Sequence, residues 1–168
     1  AKVVAVVGHA TSGVTIPANA VYSAAGLVQV SPSSTDPTYT LKSNKTPKGS
    51  VSSYRVVATD AQQGPAMAKY MLNKGVKTIA IIDDSTQYGK GLADQVEQSM
   101  KAAGTTVVAR EATTDKTSDF KALLTKIKGM NPDYIFWRGM DDTGATLVKQ
   151  VKELGLTSQF AGADGICT

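Results

Sequence analysis

Hydrophobic positions in the second half of the chain fall into two alternating kinds of segment. Residues 78–82, 106–110 and 134–137 are short apolar runs, rich in β-branched and aromatic residues. Unbroken runs of this length, without strict alternation, suit strands covered on both faces. Between them the apolar period lengthens to three or four residues. Leu92, Val96 and Met100 form a helical stripe that stops at Gly104. Phe120, Leu123, Leu124 and Ile127 form a second, opened by Thr117 or Ser118 as a cap and closed by Gly129 and the Asn131-Pro132 pair. Leu147, Val151 and Leu154 form a third, ended by Gly155. Ahead of these, residues 60–75 read as a helix with Pro65 in its first turn and Ala66, Tyr70 and Met71 facing inward. With a short strand at 159–162, the order is α-β-α-β-α-β-α-β, which predicts a parallel sheet with right-handed crossovers.

The first residues repeat the theme: a strand at 3–7, a loop at 8–13, a helical stretch at 16–25 and a strand at 27–30. The pattern then breaks. From Ser31 to Ser53 the chain is rich in Ser and Thr, carries Pro32, Pro37 and Pro47, and has few apolar residues. A polar tract this long argues for a boundary, which places an interdomain crossing near Lys42 to Tyr54.

Composition narrows the class. The chain has 168 residues, 42% hydrophobic and 19% charged, with one Cys and one His. That length buries a real core, in one domain or slightly more. One Cys excludes an internal disulfide framework, and one Cys with one His cannot build a usual structural zinc site. No run approaches the length that spans a bilayer, and the start lacks the layout of a signal peptide, so a soluble or already processed chain is expected. The excess of 18 basic over 14 acidic residues is spread singly along helix faces and is not interleaved with aromatics, so nucleic acid is not an expected partner.

In an open parallel sheet, ligands bind beyond the carboxyl ends of the strands. The loops there are Gly8-His9-Ala10-Thr11-Ser12-Gly13 and Ser31-Pro32-Ser33-Ser34-Thr35-Asp36-Pro37 in the first part. In the second part they are Asp83-Asp84-Ser85-Thr86-Gln87-Tyr88-Gly89, Arg138-Gly139-Met140-Asp141-Asp142 and Ala163-Asp164-Gly165. Hydroxyls cluster in one half, an aromatic with carboxylates in the other. That division suits a zwitterion: hydroxyls and helix-start N–H groups hold a carboxylate, and a carboxylate from the other half holds an ammonium. Ser12, Ser33 and Thr35 could equally cap helices and turns, Tyr88 could anchor its loop, and Asp164 could be a turn residue. Enzyme readings have less to stand on. His9 lacks a partner at a recognised catalytic spacing, and nothing in the sequence near Cys167 would activate its thiol. Asp83 or Asp84 could ligate Mg²⁺ in a flavodoxin-like enzyme, but neighbours in a strand point to opposite faces, so at most one faces a given site. Neither a Gly-x-Gly-x-x-Gly nor a Walker loop is present.

In order and spacing, Val6-Val-Gly-His-Ala-Thr-Ser-Gly, Val30-Ser-Pro-Ser-Ser-Thr-Asp-Pro, Tyr54-Arg55, Asp60-Ala-Gln-Gln-Gly-Pro-Ala-Met-Ala-Lys-Tyr, Gln87-Tyr-Gly-Lys-Gly-Leu-Ala and Phe160-Ala-Gly-Ala-Asp-Gly resemble the branched-chain amino-acid binding proteins of ABC importers, the leucine/isoleucine/valine type. The resemblance implies an α/β, type I periplasmic-binding-protein fold, a venus-flytrap of two Rossmann-like lobes with parallel sheets and the ligand in the cleft. It implies part of lobe 1 at 1–45, a hinge or crossover at 46–54 and most of lobe 2 at 55–168, in a chain about half the family's length and hence a fragment. Ser12 and Thr35 would then hold the ligand's α-carboxylate, and the Ser33 carbonyl and Asp164 its ammonium. Tyr88 would be the aromatic of the second lobe. Met140 stands where the family often has a second cleft tyrosine, and would reshape the pocket. Arg138 replaces a usually small residue, and either meets a second acid group on the ligand or points to solvent. Thr11 stands where some members have Cys, so no disulfide is expected through it. The implied role is a non-enzymatic, periplasmic or lipid-anchored extracellular receptor without metal or cofactor. It would deliver an amino acid, or an aromatic carboxylate, to an ABC permease in the inner membrane. A sensory or regulatory domain of the same fold is the alternative. An incomplete sheet would leave edges open to pairing with another copy.

Overall fold

The computed structural model describes residues 2–42 and 44–166. Its elements run β1 (Ala5–Val7), α1 (Ser12–Ala24), β2 (Val28–Ser31), α2 (Thr38–Leu41), β3 (Ser53–Arg55), α3 (Asp60–Asn73), β4 (Thr78–Asp83), α4 (Gln87–Ala102), β5 (Thr106–Ala112), α5 (Lys121–Met130), β6 (Tyr134–Arg138), α6 (Asp141–Glu153) and β7 (Gln159–Gly162), then a 3₁₀ turn at Asp164–Ile166. Contacts divide the chain between Gln63 and Gly64 into two units.

In the first unit β1, β2 and β3 form a parallel sheet in that order. Two of its elements, α2 and β3, have no counterpart in the apolar pattern. Ser53–Arg55 pairs with Gln29–Ser31, and Lys45 bridges antiparallel to Val51. The polar stretch 46–54, read from sequence as a crossover, therefore lies inside the first unit, and the contact pattern divides the chain about ten residues later. Helix α1 starts at Ser12, ahead of the expected 16, because Thr11 is already an extended N-cap and its carbonyl accepts from the Thr15 N–H and hydroxyl. Its buried face is Ser12, Thr15, Asn19 and Ser23. The Asn19 amide reaches the Ser52 carbonyl, and Asn44 donates to Asn19. This face is held by hydrogen bonds where an apolar stripe would be usual.

In the second unit the sheet order is β5-β4-β6-β7, all parallel. Strand alternation sends Ile79, Ile81, Tyr134 and Phe136 to one face, packed under α3 and α4. Ala80, Ile82, Ile135 and Trp137 go to the other face, against α5 and α6. The strands are covered on both sides, as their unbroken apolar runs require.

Two details of the helices differ from expectation. The inward face of α3 is Gly64, Ala68 and Met71, while Tyr70 is 54% exposed and lies beside Lys74. Gly64 sets this rotation, since a Cβ there would stand 2.5 Å from Cβ of Gln95 on α4. Helix α5 is capped by neither Thr117 nor Ser118: its N-cap is Phe120, whose ring is buried, and it ends on Asn131 in the left-handed conformation. Helices α4 and α6 give way to Gly104 and Gly155, both with positive φ, as their sequences suggest.

Candidate functional site

The candidate residues fall on two surfaces, one on each unit, both at the carboxyl ends of parallel strands. On the first unit the β1–α1 and β2–α2 loops are stitched together by serine. The Ser31 hydroxyl donates to the His9 carbonyl (2.7 Å) and accepts from the Ser34 N–H (2.9 Å). The Ser33 hydroxyl donates to the Ala10 carbonyl (2.8 Å). Ser12 is fully buried, and its hydroxyl accepts from Ser34 Oγ and the Asp36 N–H, each at 3.2 Å. Thr35 is buried beside it, and its carbonyl accepts from the Asp60 N–H at the start of α3. Ser12, Ser33 and Thr35 are thus brought into one loop cluster, with Ser33 the most accessible.

Sequence reasoning missed the residue that holds this cluster from below. Arg55, at the end of β3, donates from Nη1 to the Ser34 carbonyl and from Nη2 to the Asp36 carbonyl, both at 2.7 Å, and from Nη2 to Thr40 Oγ1 at 3.0 Å. Its guanidinium lies 5.3 Å from the Tyr39 ring centre. Burial pulls its pKa down, opposed by Asp36, Tyr39 and Asp60. The Tyr54-Arg55 pair was visible in the sequence, but its role needs the third strand. His9 has a structural partner: Nε2 is 2.9 Å from the Tyr22 hydroxyl and the rings stack.

On the second unit Asp84 follows β4, and its carboxylate accepts from the Thr86 N–H (3.0 Å) and hydroxyl (2.6 Å). Thr86 in turn caps α4 by accepting from the Gly89 N–H. Burial pushes the Asp84 carboxyl above the usual range, against the lowering effect of the Thr86 bonds. Asp83 turns to the other side and pairs with Arg110, as alternation requires, so the two carboxylates do not share a site. Among the described residues no group of three or more His, Cys, Asp or Glu could hold a metal. Cys167 lies outside the described residues.

Tyr88, in the first turn of α4, is 4% exposed. Above the strand ends it meets Arg138, and here one of the two expectations for that residue, a side chain pointing to solvent, is corrected. Arg138 is fully buried. Alternation along β6 puts it on the same face as Tyr134 and Phe136, directly under the start of α4. Its guanidinium carbon lies 3.5 Å from the Tyr88 ring centre, and Nη1 donates to the Tyr88 hydroxyl (2.6 Å) and to Oδ1 of Asp164. Asp164 opens the 3₁₀ turn after β7 and keeps 38% of its side chain exposed. Next to it, a Cβ on Gly165 would stand 2.3 Å from the Tyr88 hydroxyl and 2.6 Å from the Gly139 carbonyl, so that position must be glycine for the segment to approach. Met140 is the N-cap of α6, half-buried, and its carbonyl accepts from the Trp137 indole and the Gly144 N–H. Tyr88, Asp164 and Met140 thus surround the same strand ends.

Comparison with known proteins shows the family. A family model for the periplasmic binding protein matches residues 1–166. The chain is 37% identical over 163 residues to Leu/Ile/Val-binding protein homolog 1 of Brucella abortus, covering 96% of this chain and 42% of that protein. Among solved structures, it is similar to the branched-chain amino acid transporter substrate binding protein LivJ from Streptococcus pneumoniae in complex with isoleucine. That match has a TM-score of 0.83 and 32% identity, over 96% of this chain and 44% of that one. The leucine binding protein LivK from Thermotoga maritima superimposes with a TM-score of 0.89 at 27% identity, over 98% of this chain and 45% of that one. The chain therefore spans under half the length of the relatives it matches. Its parallel α/β units, its strand-end loops and these similarities make it a member of the periplasmic binding protein family.

Proposed function

We propose that the chain is part of an extracytoplasmic solute receptor that binds a branched-chain or similar amino acid and hands it to an ABC importer in the inner membrane. The observation that carries this is the division of polar chemistry between the units. The first offers a serine-stitched loop cluster at the start of α1, suited to a carboxylate without a formal countercharge. The second offers Asp164, partly exposed and backed by Tyr88, suited to an ammonium. In this reading Ser12 and Thr35 hold the carboxylate, the Ser33 carbonyl and Asp164 meet the ammonium, and Met140 borders the side chain. The names of the 37% identical relative and of the isoleucine complex support the same ligand class. A periplasmic or lipid-anchored location and a permease partner follow from the same reading.

The test is calorimetric titration of the full-length protein with leucine, isoleucine and valine, and with 4-hydroxybenzoate as the competing class. The expected result is saturable binding of at least one of the amino acids. Asp164→Ala should weaken it by more than about tenfold, because a desolvated ammonium would lose its charged partner. Unchanged affinity in that variant overturns the ammonium assignment.

A further inference from the structure

We infer that Arg138 is a positioning residue that selects for ligands carrying an ammonium group, by fixing the Asp164 carboxylate against Tyr88. The inference rests on the receptor reading above and adds a residue to it.

Arg138 grips Tyr88 at three points: the guanidinium lies on the ring, Nη1 donates to the hydroxyl, and Nε lies 3.4 Å from the main-chain carbonyl. The same Nη1 donates to Oδ1 of Asp164. One buried side chain thereby links Tyr88 in the first turn of α4 to Asp164 in the turn after β7, two elements far apart along the chain. Asp164 is bound through one oxygen while over a third of its side chain stays exposed. A carboxylate held by one oxygen has its other lone pairs aimed in a defined direction, which a freely rotating aspartate does not.

Packing alone gives no reason for an arginine here. The face it occupies is otherwise filled by Tyr134 and Phe136, and a buried ion pair is commonly replaced by apolar residues of similar volume without loss of stability. A planar fork that stacks and donates at once is, however, what lysine cannot reproduce. What the arginine adds over an apolar residue is a fixed Asp164.

Two physical effects oppose each other and can be separated. If Arg138 only neutralised Asp164, its removal would leave a stronger negative potential and tighten the hold on an ammonium. If it positions Asp164, removal loosens that hold. The experiment compares wild type, Arg138→Lys and Arg138→Met in the full-length protein. Each is titrated with isoleucine and, by competition, with 3-methylpentanoate, which is isoleucine without its amino group. Both variants should lose on the order of tenfold in isoleucine affinity while 3-methylpentanoate changes less than about threefold. Isoleucine binding that is unchanged or tighter in the variants, or an equal loss for both ligands, overturns the inference and leaves the receptor reading intact. A wild type that binds no amino acid overturns both. The lysine variant keeps the charge, and carries the test should the methionine variant fail to fold.

Discussion

The two units are built on the same parallel β/α plan and held together by different physics. In the second, two apolar clusters sandwich the sheet, and the buried polar side chains, Arg138 and Asp84 among them, sit mostly at its edges and strand ends. In the first, the fully buried side chains include Ser12, Thr15, Ser31, Ser34 and Ser52, while Val7, Val14, Val21 and Leu41 stand exposed. Apolar burial contributes about 25 cal/mol per Å² without directional demands. Buried hydroxyls and amides contribute little net stability and are costly when unpaired, but they specify one arrangement of the backbone. The second unit is therefore stabilised by its core. The first is organised by bonds that converge on the strand-end loops, where the proposed carboxylate contacts lie. A ligand surface made of backbone carbonyls, N–H groups and hydroxyls needs that kind of specification more than it needs adhesive area.

The sharpest way to break this contrast is a pair of truncations. Phe136→Ala removes a fully buried ring and should cost about 3–5 kcal/mol, measured by urea unfolding of the full-length protein. Val7→Ala, at a position 84% exposed, should stay within about 0.5 kcal/mol. Similar costs would show that Val7 is covered in the full-length protein and that the contrast belongs to this chain alone. Next in size, Arg55→Met leaves the Ser34 and Asp36 carbonyls without their shared donor and should cost about 2 kcal/mol. Hydrogen exchange should then speed up in residues 31–41 and not in β4 or β6; protection lost equally in both units would mean that Arg55 supports more than its loop. The smallest effect concerns Asp133, whose carboxylate accepts from the N–H groups of Lys77 (2.7 Å) and Thr78 (2.9 Å) where β4 begins. Those backbone bonds hold its pKa below the usual carboxylate range. Its stabilisation is therefore present above about pH 4, where the unfolded group ionises, and is lost as pH falls through the folded value. Asp133→Asn keeps a carbonyl that accepts the same bonds, and the exposed charge is screened by solvent, so the change should cost no more than about 0.5 kcal/mol at neutral pH and flatten the acid limb of the stability profile; an unaltered limb would show that this exposed carboxylate does not report on the second unit.

The contrast also accounts for what could be read without coordinates. In the second unit the stripes at Leu92, Val96 and Met100 and at Leu147 and Val151 matched their helices, and the apolar runs matched β4, β5, β6 and β7. Hydrophobic burial there is dense enough that the period of apolar residues carries the fold. In the first unit the same method missed α2 and β3 and started α1 four residues late, because the residues facing inward are Ser, Thr and Asn. Polar side chains show no inside or outside until a partner exists: Asn19 faces Ser52, thirty-three residues away. On α3, tyrosine and alanine were read as inward, and the close approach of Gly64 to α4 decided otherwise.

By itself the sequence determined the alternation of strand and helix in the second unit, the parallel sense of the sheets, and which loops lie at the carboxyl ends of the strands, since these follow from period and connection length. Only the tertiary structure decided the fate of Arg138. Its parity on β6 is the same as that of Phe136, so it had to enter the face under α4, and a guanidinium can stay there because Tyr88 and Asp164 arrive from two other elements to receive it. A buried charge is settled by its partners, and those partners adjoin it only after the sheet has formed.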